Sequence, residues 1–246
     1  DPELKAQMMK FANNPQVVAT LAVFERSAEE RRNLVGRLIE MDPDNGFVHL
    51  LHADLLRSEG DHFAASQALE RALNSPSFEA FLASNSEHQR QLLKDAGAGL
   101  VDLGLTSYTD PYKNKILSTI AFLQIDDLSG KSIEETIDRA SQGLALIEKI
   151  RPTFDTGASL AAKIELFSIE ESILRSVPPD TEFGENNSVA EYLRDVGLRK
   201  NKAEELRQEI LMTLDRSTEP VLRDYFSLLL EQGDGPAIEW LLGVKP

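Results

Sequence analysis

Apolar residues recur along this chain at helical rather than strand spacing. Between Pro15 and Phe24, the side chains of Val17, Val18, Leu21, Ala22 and Phe24 fall on one helical stripe. Ser27 stands three residues before Glu30, the Ser-x-x-Glu arrangement in which each side chain satisfies the other's backbone N–H. The helix it opens carries Leu34, Val35, Leu38 and Ile39 inward and stops at Met41-Asp42-Pro43. Asn45 precedes a helix through Val48, Leu51, Leu55 and Leu56, closed by Gly60. Asp61 opens another through Ala65, Ala68, Leu69, Ala72 and Leu73, which ends before Pro76. Four helices joined by such short turns have to pack as antiparallel neighbours.

The remainder continues in the same style, with longer joints. Helices are expected at 87–104, 111–125, 132–150, 157–176, 188–215, 218–232 and 235–242. Asp110-Pro111, Ser129-Gly130, Arg151-Pro152, Val177-Pro178-Pro179 and Gly233-Asp234-Gly235-Pro236 mark the breaks, because neither Gly nor Pro continues a helix cheaply. The stretch 177–187 reads as a flexible loop or a joint between subdomains. Alternating β-branched runs bounded by Asn-Gly or Asp-Gly turns are nearly absent. The expected fold is therefore all-α, a set of stacked antiparallel helix pairs. It divides into helix hairpins over 1–80, further helical pairs over 81–182 and a C-terminal helical part over 183–246, or the three pack as one continuous array.

Residues 46–76 resemble a tetratricopeptide repeat, a helix–turn–helix unit. With Gly46 as the first position, Ala53, Ala65 and Ala72 occupy the unit's small positions. Leu56 and Leu69 take apolar positions, and Gly60-Asp61 takes the turn. Pro43 stands where a preceding unit's terminal proline belongs, so residues 12–45 resemble a degenerate unit. His49 stands where the family often has Trp, His52 replaces the usual Leu, and Pro76 comes one residue early. Past residue 80 the pattern survives as fragments, at Gly97, Leu100 and Gly104 and again at Ala140, Leu144, Ile147 and Pro152. The resemblance implies an α-solenoid whose concave groove is lined by Phe47, Leu50, Asp54 and Arg57, a partner-binding surface. Leu50 and Asp54 stand where chaperone-binding members carry a carboxylate clamp, so that clamp is not expected.

Composition narrows the chemistry. The 246 residues include 41 Asp+Glu against 26 Lys+Arg, a net charge of −15, and no Cys. Thiolate metal sites, disulfides and cysteine nucleophiles are excluded. The acidic excess is spread evenly, with no cluster of Lys and Arg to release counterions from a phosphate backbone, so nucleic acid is not an expected partner. No apolar run reaches the ~20 residues of a membrane span. The chain begins Asp1-Pro2, which reads as a processed or trimmed piece of either a cytoplasmic or an exported protein.

Candidate chemistry is sparse. His49 and His52 form an i, i+3 pair near Asp54, without the further ligands of a metal site, so they read as structural histidines. Asp42-Pro43-Asp44-Asn45-Gly46 lacks the bidentate Glu of a calcium loop, and Ala53 stands in its place. Asp95-Ala96-Gly97-Ala98-Gly99 offers Gly-x-Gly without a preceding strand or third Gly. Adjacent carboxylates at Glu29/Glu30, Asp126/Asp127, Glu134/Glu135, Glu170/Glu171 and Glu204/Glu205 point about 100° apart on a helix, so they read as solvated faces. No catalytic residue, metal or cofactor is expected. The function read from these features is a non-enzymatic interaction module that binds a peptide or partner helix. The alternative is a helical enzyme or small-molecule binder with its site between the C-terminal helices.

Overall fold

The computed structural model describes residues 8–81, 112, 115–120, 132–157, 160–183, 187–232 and 234–243. The protein is all-α. After a 3-10 turn at Met9–Phe11 come α1 (Pro15–Phe24), α2 (Ala28–Met41), α3 (Gly46–Ser58) and α4 (His62–Asn74). Then follow α5 (Ile133–Gly157), α6 (Leu160–Arg175), α7 (Val189–Arg216), α8 (Glu219–Gln232) and α9 (Asp234–Gly243). The expected helix at 87–104 and most of the one at 111–125 lie outside the described residues. Of the latter, Tyr112 and 115–120 are helical, and Tyr112, Ile116, Leu117 and Ile120 are buried.

The helix starts follow from side-chain caps. Asn14 accepts a hydrogen bond from the Gln16 amide with Pro15 at the first helical position, Asn45 accepts from Phe47, and Asp61 accepts from Ala64. Ser27 caps α2 by accepting from the Glu30 amide, and Ser188 with Glu191 forms a reciprocal capping box on α7. The end of α3 is equally specific. Gly60 takes a left-handed φ of 84°, its amide donates to Arg57, and the next amide, Asp61, donates to Leu56. That pair of bonds satisfies carbonyls that the helix end leaves orphaned.

Two departures from the sequence reading stand out. The break expected at Arg151-Pro152 is absent, and α5 continues through the proline to Gly157. The proline lacks an N–H and crowds the preceding turn, but Leu146, Ile147 and Ile150 are fully buried up to its edge, so tertiary packing sustains the helix. The joint at 177–187 is tied down at both ends. Glu182–Phe183 and Asn187–Ser188, named β1 and β2, pair antiparallel. The Val189 amide donates to Thr181 and the Ala190 amide to Pro179, while Val177 is buried.

Consecutive helices pack as neighbours: α1 on α2, α2 on α3, α3 on α4, α5 on α6 and α6 on α7, with α4 also meeting α5. One hydrophobic cluster runs from Ala12 through α1–α6 to Val189 and Val196 at the start of α7. A second joins Ile210 of α7 to Tyr225, Phe226 and Leu229 of α8 and Ala237 and Leu241 of α9. The larger cluster therefore crosses the boundary drawn at 182/183, and the smaller one starts near the far end of α7.

A close approach lies where α2 turns into α3. A Cβ added to Gly46 would sit 2.6 Å from the Ala72 carbonyl oxygen and 2.7 Å from the Phe78 ring. Gly46→Ala is therefore expected to destabilise the protein by ~1–3 kcal/mol through overpacking. Gly36 and Gly197, in α2 and α7, have no atom within 4 Å of an added Cβ. Alanine there is expected to raise stability by ~0.4–1 kcal/mol by restricting the unfolded chain. Urea midpoints of the three variants check both signs.

Candidate functional site

The end of the α3–α4 hairpin carries an extended segment, residues 75–81, which turns back across the start of α3. Asn45 organises it. Its side-chain carbonyl accepts from the Phe47 and Glu79 amides, at 3.0 Å each, and its amide donates to the Glu79 carbonyl and to Asp42. Asn45 is 1% exposed, so these bonds meet the needs of a buried polar group in full. Beside it the Gly46 amide donates to Ser77 at 2.8 Å, and the Ser77 amide donates to Asp44, forming a parallel bridge. Phe78 and Phe81 then set their rings edge-on against Phe47, with centroids 6.2 and 6.4 Å away.

This segment decides the fate of the groove residues expected from sequence. Phe47 is fully buried beneath Phe78 and Phe81, and Leu50 is fully buried in the larger cluster. Asp54 is buried too, in an ion pair with Arg31 reaching over from α2. Arg57 alone of the four keeps partial exposure. The expectation that Phe47 and Leu50 offer an apolar docking face is corrected: the returning chain and α2 cover that face, and both side chains serve the core.

The histidine pair sits on the same helix. His49 is buried, and its Nε2 lies 2.8 Å from the Pro43 carbonyl. A carbonyl can only accept, so Nε2 carries a proton, and Nδ1 is buried without a hydrogen-bond partner. The Nδ1 of His52 is likewise buried and unpartnered. Burial pushes the His52 pKa below the ordinary 6.5, helped by His49 on the same helix and Arg71 on α4, and opposed by Glu59. Among the described residues, no group of three or more His, Asp or Glu is arranged to hold a metal.

A second concentration of charge lies where α5, α6 and α7 meet. Glu170 of α6 is fully buried, with Oε1 2.9 Å from Arg151 of α5 and 3.6 Å from Arg199 of α7. Both guanidinium groups also lie over the Phe167 ring, at 5.8 and 5.4 Å from its centroid. Tyr192 sits beside this carboxylate. Burial first, then the negative charges of Glu170 and Glu148, push its pKa up to about 12. The neighbouring Glu171 is partly exposed and accepts from Arg175 and Lys200, which holds its pKa below the usual carboxylate value.

The reading of Glu170/Glu171 as a solvated pair is thus half wrong. Glu170 follows Leu166 by four residues and precedes Ile173 by three, which places it on the buried stripe with Ile169 and Leu174. That periodicity was the available signal, and the adjacent Glu171 masked it. Further along α7, an open groove of about 700 Å³ is lined by Asn201, Glu204, Glu205, Arg207, Gln208 and Met212. These residues mix charge and apolar surface on one helix. No family model matches the chain, and neither a curated protein nor a solved structure matches it.

Two outcomes follow from these geometries. Glu170→Ala leaves the Arg151 guanidinium without its carboxylate, although Arg199 keeps Asp195, and is expected to cost ~3 kcal/mol, whereas removing the exposed end of a surface pair, as in Arg175→Ala, changes stability by no more than ~1 kcal/mol. Chemical denaturation compares them. For His52, a folded-state pKa below the unfolded value means that stability is complete above about pH 6.5 and falls as pH drops through the folded pKa. Between pH 7 and 5.5 the wild-type melting temperature should drop further than that of His52→Gln. Parallel melting curves would assign the pH dependence to other groups.

Proposed function

We propose that this chain is a non-enzymatic protein-interaction module of stacked helix hairpins with a tetratricopeptide-like start, and that it binds a segment of a partner polypeptide. The observation that carries this reading is the manner in which the α3–α4 hairpin holds residues 75–81. It grips an extended backbone through Asn45 and Gly46 and seats two aromatic side chains against Phe47. That is the chemistry of peptide recognition, in which main-chain hydrogen bonds supply affinity and side-chain pockets supply specificity. Ala53, Ala65 and Ala72, all buried, let the two helices approach closely enough to form a rigid end. The fully buried carboxylate between the later helices, Glu170, is already engaged by Arg151 and Arg199, so it lends no support to an enzyme there.

The test begins with the full chain immobilised in native extract, followed by separate purification of whatever protein is retained. Titration calorimetry is expected to give saturable binding of the purified partner with a negative heat-capacity change, the mark of buried apolar surface. Retention of no protein, together with a melting-temperature rise on adding a small-metabolite mixture, would replace this reading with a small-molecule site.

A further inference from the structure

The segment 75–81 differs from an ordinary inter-helix turn in how it is held. A single residue, Glu79, has both its amide and its carbonyl bonded by one buried side chain, Asn45. Its neighbour Ser77 exchanges backbone bonds with Asp44 and Gly46. Phe78 enters a notch that exists only because residue 46 lacks a Cβ. Ala80 is fully buried, and Lys149 of α5 pins the start of the segment by donating to the Ser75 carbonyl at 2.8 Å. Each of these contacts is one that a separate extended peptide would make.

The far end of the segment is strained. Phe81 has a φ of 56°, a left-handed conformation that is unfavourable for a bulky aromatic residue. It is held there by its ring contact with Phe47 and by donation of its amide to the Glu79 carboxylate at 2.6 Å. Release of the segment relieves this strain. A competing peptide without a left-handed residue would not carry it.

We infer that residues 75–81 are a pseudo-ligand: they fill in cis a peptide-binding notch formed by Asn45, Gly46 and Phe47, and a partner segment of matching chemistry displaces them. That chemistry is an extended backbone bearing aromatic-x-small-aromatic, as in Phe78-Glu79-Ala80-Phe81. Binding then follows a cis–trans exchange, and apparent affinity is lowered by the fraction of time the notch is occupied. Displacement exchanges Phe78 and Phe81 for the partner's aromatic side chains on the Phe47 ring and leaves Leu50 in the core. This inference rests on the interaction-module reading and adds to it the recognised sequence and the mask.

The test uses the full-length chain and a fluorescein-labelled peptide matching residues 75–81. Phe78→Ala/Phe81→Ala weakens the cis segment and leaves the notch intact. The double variant is expected to bind the peptide saturably and at least tenfold more tightly than wild type, and adding Asn45→Ala should abolish that binding. Equal affinity for wild type and the folded double variant, or binding that survives Asn45→Ala, overturns the inference.

Should the double variant fail to fold, hydrogen exchange on the wild-type chain decides. The amides of Gly46 and Glu79, which bond across the segment, should exchange together at least tenfold faster than those of Leu51 and Leu55 and at a rate unaffected by low urea. Exchange as slow as the α3 core would mean that the segment leaves only on global unfolding, and the pseudo-ligand would be refuted. A captured partner that binds wild type and the folded double variant equally would remove the mask while leaving the interaction module standing.

Discussion

The close approach at Gly46 is the constraint on which the N-terminal half depends. A hydrogen is all the space allows between the Ala72 carbonyl and the Phe78 ring, and that contact fixes how α3, the end of α4 and the returning chain meet. Asn45, one residue earlier, supplies the polar complement. It caps α3 and satisfies the backbone of Glu79, so the helix start and the returning segment become a single hydrogen-bonded unit. α3 also packs on α2 and α4 on α5, so the hairpin that carries the notch is held from both sides.

Much of this architecture was legible in the sequence. Ser27, Asn45 and Asp61 announce helix starts through their side chains alone, and Gly60 announces a stop through its backbone freedom. These are local rules, and local rules can be read locally. Pro152 was misread for the opposite reason: its effect on a helix is weighed against the burial of Leu146, Ile147 and Ile150, which depends on distant elements. The candidate site failed in the same way. Nothing near Phe47 in sequence indicates that residues 78 and 81 will come back to cover it, and nothing near Asp54 reveals Arg31.

The charge network around Glu170 shows how an acidic chain manages an internal carboxylate. Two guanidinium groups from different helices converge on one oxygen and rest on a shared aromatic ring. Desolvating such a group offsets most of the attraction it gains, so its worth lies less in net stability than in the arrangements it forbids. A slip of α7 along α6 would separate Arg199 from Glu170 and Lys200 from Glu171 together. The pairing therefore fixes the register of two helices whose apolar contacts alone would tolerate small shifts.

The division of the hydrophobic side chains into two clusters bears on how the chain comes apart. Among the described residues, the smaller cluster rests on six buried side chains from α7, α8 and α9, with Leu160 of α6 partly packed against it. A smaller cluster of this kind opens at a lower free energy than a core that extends from α1 into α7. Heat or denaturant would then act on two cooperative units in succession, and variants of Gly36, Gly46, His52 and Gly197 would shift the midpoint of the later one. Fluorescence from Trp240, which packs against the smaller cluster, would report the early event, while far-ultraviolet ellipticity would be dominated by the late one.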